Sequence, residues 1–160
     1  MLVSEKNEDE AALYRRHTGM NVTLGNPDDY LARPDTRGCV KGLYIIDQGK
    51  MDIIRPRIEA RFGSGVYITK SSPVFLEVLN GAASKGTGLQ LAMDHLKLKA
   101  EQVIAFGDEE NDLPMFSVAG FSAAPIDAKE EIRAAAGFSI GSCENDGLAE
   151  FLEKHFPENF

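Results

Sequence analysis

The sequence predicts an α/β protein in two parts: a small α+β layer with an antiparallel sheet, followed by parallel βαβ units. Two observations predict it. Residues 40–79 read strand, helix, strand, strand, and the short Ser71-Ser72 link between the last two suits an antiparallel pair. From Ser84 onward helical periodicity alternates with short apolar runs, the pattern of parallel strands joined by helical crossovers. A third observation places the chemistry. Val103-Ile104-Ala105-Phe106 reads as a buried strand and Gly107 as a sharp turn, which leaves Asp108 at the strand's carboxyl end, where open α/β sheets bind ligands.

Taken in order, residues 4–17 are polar, with Ala11, Ala12, Leu13 and Tyr14 among them, and predict a surface helix capped by Ser4 or Asn7. Residues 18–38, with Gly19, Gly25, Pro27, Pro34 and Gly38, predict mostly loop and one helical turn at 28–32. Val40-Lys41-Gly42-Leu43-Tyr44-Ile45-Ile46-Asp47 is a strand rich in β-branched and aromatic residues. Met51, Ile54, Ile58 and Phe62 recur as on an amphipathic helix, and Pro56 places the helix start near Ile53 or a kink there. Strands follow at 66–70 and 73–79, the second with Val74, Leu76 and Val78 on one face and Phe75 and Glu77 on the other. The domain boundary falls at Asn80-Gly81-Ala82-Ala83. Leu89, Ala92, Met93 and Leu96 then mark a helix face, with Ser84 as cap and Lys85 and Gly86 in the first turn. After the strand at 103–106 come a helix from about 109 to 117, a strand at 119–123, a helix over 128–136 capped by Asp127, and a strand at 137–140. A last helix, capped by Asn145 or Asp146, bears Leu148, Phe151, Leu152 and Phe156.

Composition excludes several classes. The chain has 160 residues, 43% hydrophobic and 26% charged, the balance of a soluble globular protein. A net charge of −8 argues against nucleic acid or an anionic membrane as partner, because phosphate backbones need basic patches. A small phosphorylated metabolite needs only one or two local cations and stays open. No apolar run approaches the roughly 20 residues of a membrane span, and the first residues have neither the basic start nor the apolar stretch of a signal peptide. Cys39 and Cys143 lie far apart, and His17, His95 and His155 lack zinc spacing, so a reduced, cytoplasmic protein is expected.

In Gly107-Asp108-Glu109-Glu110-Asn111-Asp112 the acids would fill a first helical turn, where the macrodipole favours negative charge. The same oxygens could equally hold a divalent cation. The residues alone weigh these readings evenly. Lys85 opens a helix, among free backbone N–H groups that suit an anion; from position alone, a solvated lysine is the plainer reading.

Gly81-Ala82-Ala83-Ser84-Lys85-Gly86-Thr87-Gly88-Leu89, followed by the GDEEND run, resembles the third and fourth motifs of haloacid-dehalogenase (HAD) superfamily phosphatases, in the Cof-type, sugar-phosphatase-like branch. Phe75-Leu76-Glu77-Val78 is similar to that branch's return from cap to core, and Glu144-Asn145-Asp146-Gly147-Leu148 to the segment before its last helix. The resemblance implies the C-terminal half of a Rossmann-like HAD core at 81–160, preceded by part of an α+β C2-type cap at 1–80. It also implies roles. Asp108 would bind Mg²⁺, Asn111 would hydrogen-bond the substrate or its phosphate, Asp112 would orient the loop or a metal-bound water, and Lys85 would neutralise the phosphate and the charge of transfer. Enzymes of this family hydrolyse small phosphate monoesters through an aspartyl-phosphate.

The chain also departs from the family. The DxDGT-like motif that supplies the nucleophile has no counterpart. The nearest run, Ile45-Ile46-Asp47-Gln48-Gly49-Lys50, has Gly49 where the second Asp belongs and lies in the cap region. The family's Ser or Thr motif is missing too, and Ala124-Pro125-Ile126-Asp127-Ala128 replaces a Gly-Asn-Ala turn. The chain is therefore expected to be inactive alone and to self-associate or pair with an N-terminal half. The competing expectation is a non-catalytic binding or assembly module with a vestigial site. Tyr44, Phe75 and Glu77 could line a substrate pocket but read as readily as packing or surface.

Overall fold

The computed structural model describes residues 2–4, 8–35 and 38–157. Three small sheets organise them. Strands β1 (Leu2–Ser4) and β2 (Val22–Leu24) pair in parallel around helix α1 (Glu8–Thr18), and helix α2 (Pro27–Leu31) follows. The segment expected to be helix and loop is thus a βαβ unit. Ser4 belongs to β1, and Asn7 lies outside the described residues. Three-residue strands carry no alternation to read, which is why the pair escapes a pattern search. Asn26 caps α2, its Oδ1 accepting from the Asp28 amide at 2.9 Å. Helix α1 is not a free surface element: Ala11 and Tyr14 are buried, and the rings of Tyr14 and His17 meet Phe75 tilted and edge-on, with centroids 5.7 and 5.3 Å away.

The second sheet holds strands β3 (Lys41–Ile45), β4 (Val66–Ser72) and β5 (Phe75–Asn80) in the order β3-β5-β4, antiparallel throughout. Helix α3 (Gln48–Phe62) covers one face, where Met51, Ile58, Ile68 and Leu76 form a hydrophobic cluster flanked by Ile46, Ile54, Val66 and Val78. The helix begins earlier than Pro56 suggested. Asp47 caps it by accepting the Lys50 amide at 3.0 Å, and Pro56 sits inside. The proline is tolerated because it lies on the exposed side, where the Asp52 carbonyl that it leaves unpaired meets water.

The third sheet is parallel, in the order β6 (Ile104–Phe106), β7 (Phe121–Pro125), β8 (Phe138–Ile140). Helix α4 (Lys85–Leu96) precedes it. Helix α5 (Leu113–Phe116) packs on β6 and β7, α6 (Glu130–Ala135) on β7, and α7 (Gly147–His155) on β8. The alternation predicted from sequence is present, with differences at the ends. The expected 109–117 helix is a 3-10 turn at Glu110–Asp112 followed by α5. Asp127 does not cap α6: Lys129 occupies the cap position, and Asp127 turns to Ser142 instead. Asp146 stands at the N-terminus of α7 in the left-handed region (φ 56°) without a side-chain cap bond. On α4 only Met93 of the predicted face is fully buried. Among the described residues no helix is long and apolar enough to cross a membrane.

Candidate active site

Asp108, Asp127 and Ser142 follow the ends of β6, β7 and β8, so all three stand at the carboxyl edge of one parallel sheet. Two glycines shape the approach to that edge. A Cβ on Gly86 would come within 2.4 Å of the Pro114 carbonyl oxygen, so only glycine lets the first turn of α4 lie against α5. The start of α4 is itself held firmly. Ser84 Oγ accepts the Thr87 amide at 3.1 Å, while Thr87 Oγ1 accepts the Ser84 amide at 2.9 Å, a reciprocal capping box. Lys85, displayed from this turn, donates from Nζ to Asp112 Oδ1 at 2.5 Å.

Gly107 does for the loop what Gly86 does for the helix. A Cβ there would strike the Asp112 side chain, 2.3 Å from its Cβ. With that space open, Asp112 folds back over the turn and its Oδ2 accepts the amides of Asp108 and Glu109 at 3.0 and 3.1 Å. Asp112 is 3% exposed, so its charge has left water. Two amides and the Lys85 ammonium compensate that burial, as an isolated buried carboxylate would require. The spacing of Gly107 and Asp112 is therefore a folding device as well as a chemical one.

The other acids of the run point away. Glu109 is paired with Lys129 at 3.0 Å and Glu110 with Arg55 at 2.9 Å. The Glu110 carboxylate raises the Arg55 guanidinium above its ordinary value, and Arg55 also donates to the Ile68 carbonyl at 3.2 Å, tying α3 and β4 to the loop. Asp108 is exposed. Its charge acts at Cys143, whose thiol is pushed up by burial first and then by Asp127 and Asp108. The Asp127 carboxyl is held below its ordinary value by the Ser142 hydroxyl, which donates at 2.8 Å. Glu110 and Asp112 lie in one 3-10 turn with Glu109 at its cap position, and among the described residues no group of three or more His, Cys, Asp or Glu could hold a metal ion. Mg²⁺ wants several well-placed oxygens, and Asp108 offers one exposed carboxylate, so the residues present do not fit the ion by themselves.

Between the antiparallel sheet and the start of α4 opens a cleft of about 650 Å³. Lys85 and Asn111 line it from one side and Lys41, Thr69 and Glu77 from the other; Asp108 does not. Asn111 Oδ1 is buried without a hydrogen-bond partner among the described residues. Lys85, Asn111 and Asp112 are thus brought together and Asp108 faces elsewhere. Sequence reasoning missed Arg55, Thr69, Asp127 and Lys129 as parts of this region. Only Asp127 had a signal, its place just beyond a parallel strand. Of the three residues weighed for a pocket, Glu77 lines the cleft, Phe75 packs against α1, and Tyr44 is 42% exposed.

The comparisons with known proteins agree with this architecture. The model of one family, described as haloacid dehalogenase-like hydrolase, matches residues 1–152. A Bacillus subtilis protein named 5-amino-6-(5-phospho-D-ribitylamino)uracil phosphatase YitU is 35% identical over 81 residues, 51% of this chain and 30% of that protein. A phosphoglycolate phosphatase of Picrophilus torridus is 30% identical over 113 residues, 71% of this chain and 46% of that protein. Among solved structures, a Thermotoga maritima protein superposes with a TM-score of 0.72 at 28% identity, covering 95% of this chain and 56% of that one. A haloacid dehalogenase-like hydrolase from Bacteroides thetaiotaomicron gives 0.77 at 27% identity, covering 96% and 57%. The chain spans less than half the length of these two curated relatives. Since a single family model accounts for all but the last residues, and the fold follows that family's over nearly its whole length, the chain belongs to the haloacid dehalogenase-like hydrolases.

Proposed function

We propose that this chain is the phosphate-holding part of a phosphatase for small phosphate monoesters, of the Cof-type, sugar-phosphatase-like branch. In this reading residues 81–160 are half of the catalytic core and residues 1–80 part of the C2-type cap above it. The observation that carries it is the Lys85–Asp112 pair at the start of α4, opening on the cleft that Asn111 also lines. The Lys85 side chain is 47% exposed, so its ammonium keeps hydrogens for a ligand after bonding Asp112. Held there, it would offset the charge on the phosphoryl oxygens, the electrostatic contribution on which phosphoryl transfer depends. Asn111 would orient the ester. Asp112, both oxygens already engaged, would keep Lys85 aimed and the loop closed.

The attacking aspartate of an aspartyl-phosphate mechanism is not among these residues, and Asp47, the nearest candidate, is spent on capping α3. The chain alone is therefore proposed to bind phosphate without turning over esters. Leu91 and Leu96, 70% and 62% exposed, favour self-association or pairing with a further core half. A second reading, a non-catalytic binding or assembly module, draws support from the lack of a convergent metal-ligand group among the described residues.

The test is titration with inorganic phosphate, followed by amide NMR shifts at Lys85 and Gly86, beside an aryl phosphate assay with Mg²⁺. Saturable binding that disappears in Lys85→Ala, with no turnover, is expected. Binding unchanged in Lys85→Ala would remove the role given to that residue. Turnover by the chain alone would end the claim of inactivity.

A further inference from the structure

Met51, Arg55 and Ile58 follow one another on α3 at intervals of four and three, so all three lie on the stripe of the helix turned toward the antiparallel sheet. Met51 and Ile58 are buried there in the hydrophobic cluster. An arginine between them needs partners, because a charge drawn out of water is costly unless it is paired. Arg55 has three, one on each nitrogen. Nε donates to Glu59 on its own helix at 3.1 Å, Nη2 to the Ile68 carbonyl of β4 at 3.2 Å, and Nη1 to Glu110 Oε2 of the GDEEND loop at 3.0 Å. The guanidinium is a planar fork, so it cannot swing away from one partner without loosening the others. The loop's other cations, Lys85 and Lys129, belong to the parallel layer itself. Among the described residues, Arg55 is the cation that reaches the loop from the antiparallel layer.

The two distant partners stand next to the cleft. Ile68 is followed by Thr69, which lines the wall on the sheet side, and Glu110 by Asn111, which lines the wall beside Lys85. We propose that Arg55 is a positioning residue: by holding the Ile68 carbonyl and the Glu110 carboxylate on one guanidinium it sets the spacing of the two walls, and through that spacing the affinity of the cleft for phosphate. The second part rests on the phosphate reading of Lys85 given above. Arg55 itself does not line the cleft. Its effect passes through the loop. Asn111 and Asp112 follow Glu110 in the same 3-10 turn, so a loop released at Glu110 lets Asn111 and the Lys85–Asp112 pair drift from the geometry that a ligand needs. Affinity is then lost although every group that touches the ligand is still present.

Two readouts test this in the whole chain, in a Cys39→Ser, Cys143→Ser background. Spin labels on Ala60→Cys in α3 and Ala92→Cys in α4, both exposed positions, report the distance across the cleft by pulsed electron paramagnetic resonance. Titration with inorganic phosphate reports affinity. Arg55→Leu and Glu110→Gln should each broaden the distance distribution and weaken phosphate binding about fivefold. The double variant should do little more than either alone, as for two ends of one contact. Arg55→Lys keeps the charge but not the fork, and should restore only part of the loss. Ile58→Val loosens the packing of the same helix and should leave both readouts at wild-type values, which separates positioning from loss of stability. An unchanged distribution in Arg55→Leu, phosphate bound as tightly by that variant as by the wild type, equal changes in Ile58→Val, or full rescue by Arg55→Lys overturns the inference. If the wild-type chain binds no phosphate, the Lys85 reading falls, and the spin-label distances alone decide whether Arg55 sets the walls.

Discussion

The antiparallel layer and the parallel layer are held together in different ways. In the first, large side chains fill the interior: Met51, Ile58, Ile68 and Leu76 pack between sheet and helix. In the second, Ala105, Ala123 and Ala124 occupy the sheet interior, and backbones meet directly where Gly86 faces Pro114, Gly120 faces Ala100 and Gly147 faces Gly141. Ile132 and Ile140 are buried there as well, at 0% and 7% exposure, but the phenylalanines stay partly in water, Phe121 46% and Phe138 44% exposed. The difference teaches where stability and geometry reside. A side-chain interior gives free energy in proportion to the area that it buries. Backbone contact buries little apolar area but fixes positions closely, which a constellation such as Lys85, Asn111 and Asp112 needs.

Four measurements would break or sharpen this contrast. Leu76→Ala, at a position with no exposure, should cost about 2–5 kcal/mol in urea unfolding, through lost burial and the cavity left behind. A much smaller cost would mean that the first layer is not the seat of stability. Gly86→Ala should cost about 1–3 kcal/mol, since the methyl meets backbone that cannot swing aside. Unlike the first change it should shift amide resonances at 108–114 and weaken phosphate binding; an unperturbed loop would contradict the close-approach account. Arg55→Leu removes a partly exposed ion pair and should cost only about 1 kcal/mol, yet it should raise hydrogen exchange at 108–112. If exchange there is unaltered, the first layer does not brace the loop. The smallest effect is at Cys143. In a Cys39→Ser background, Asp108→Asn removes one of the charges that raise this thiol's pKa. The pKa should fall, so maleimide labelling near pH 8 should quicken modestly; a slower rate would show that Asp108 does not face Cys143.

Much of this was legible in the residues, and the exceptions have physical causes. Ser84 announced α4, because an N-cap is a local bond between near neighbours, here with Thr87. The order of the 41–80 layer followed from short links and alternation. The extent of α3 did not, because propensity sees a proline but not whether the carbonyl it abandons can reach solvent. Asp127 looked like a cap, the commonest use of an Asp before a helix, yet its partner Ser142 lies on the next strand's loop. The same is true of Glu109 and Glu110: their partners Lys129 and Arg55 are distant in sequence, and nothing local distinguishes a strut from a ligand. The family resemblance rested mainly on Lys85-Gly86 and GDEEND, two of the places where glycine leaves no choice.

The division of labour inside GDEEND has a consequence for how the gene can drift. Gly107, Asp112 and the distant Lys85 and Gly86 answer to one another through space that admits no other side chain at the glycines, so an inherited change at any of them needs simultaneous change elsewhere. Glu109 and Glu110 answer to single partners, Lys129 and Arg55. Each can mutate as half of a couple, with its compensating codon far away in the reading frame. A descendant sequence can thus keep the loop's shape while losing two of its letters, provided that positions 55 and 129 move with them.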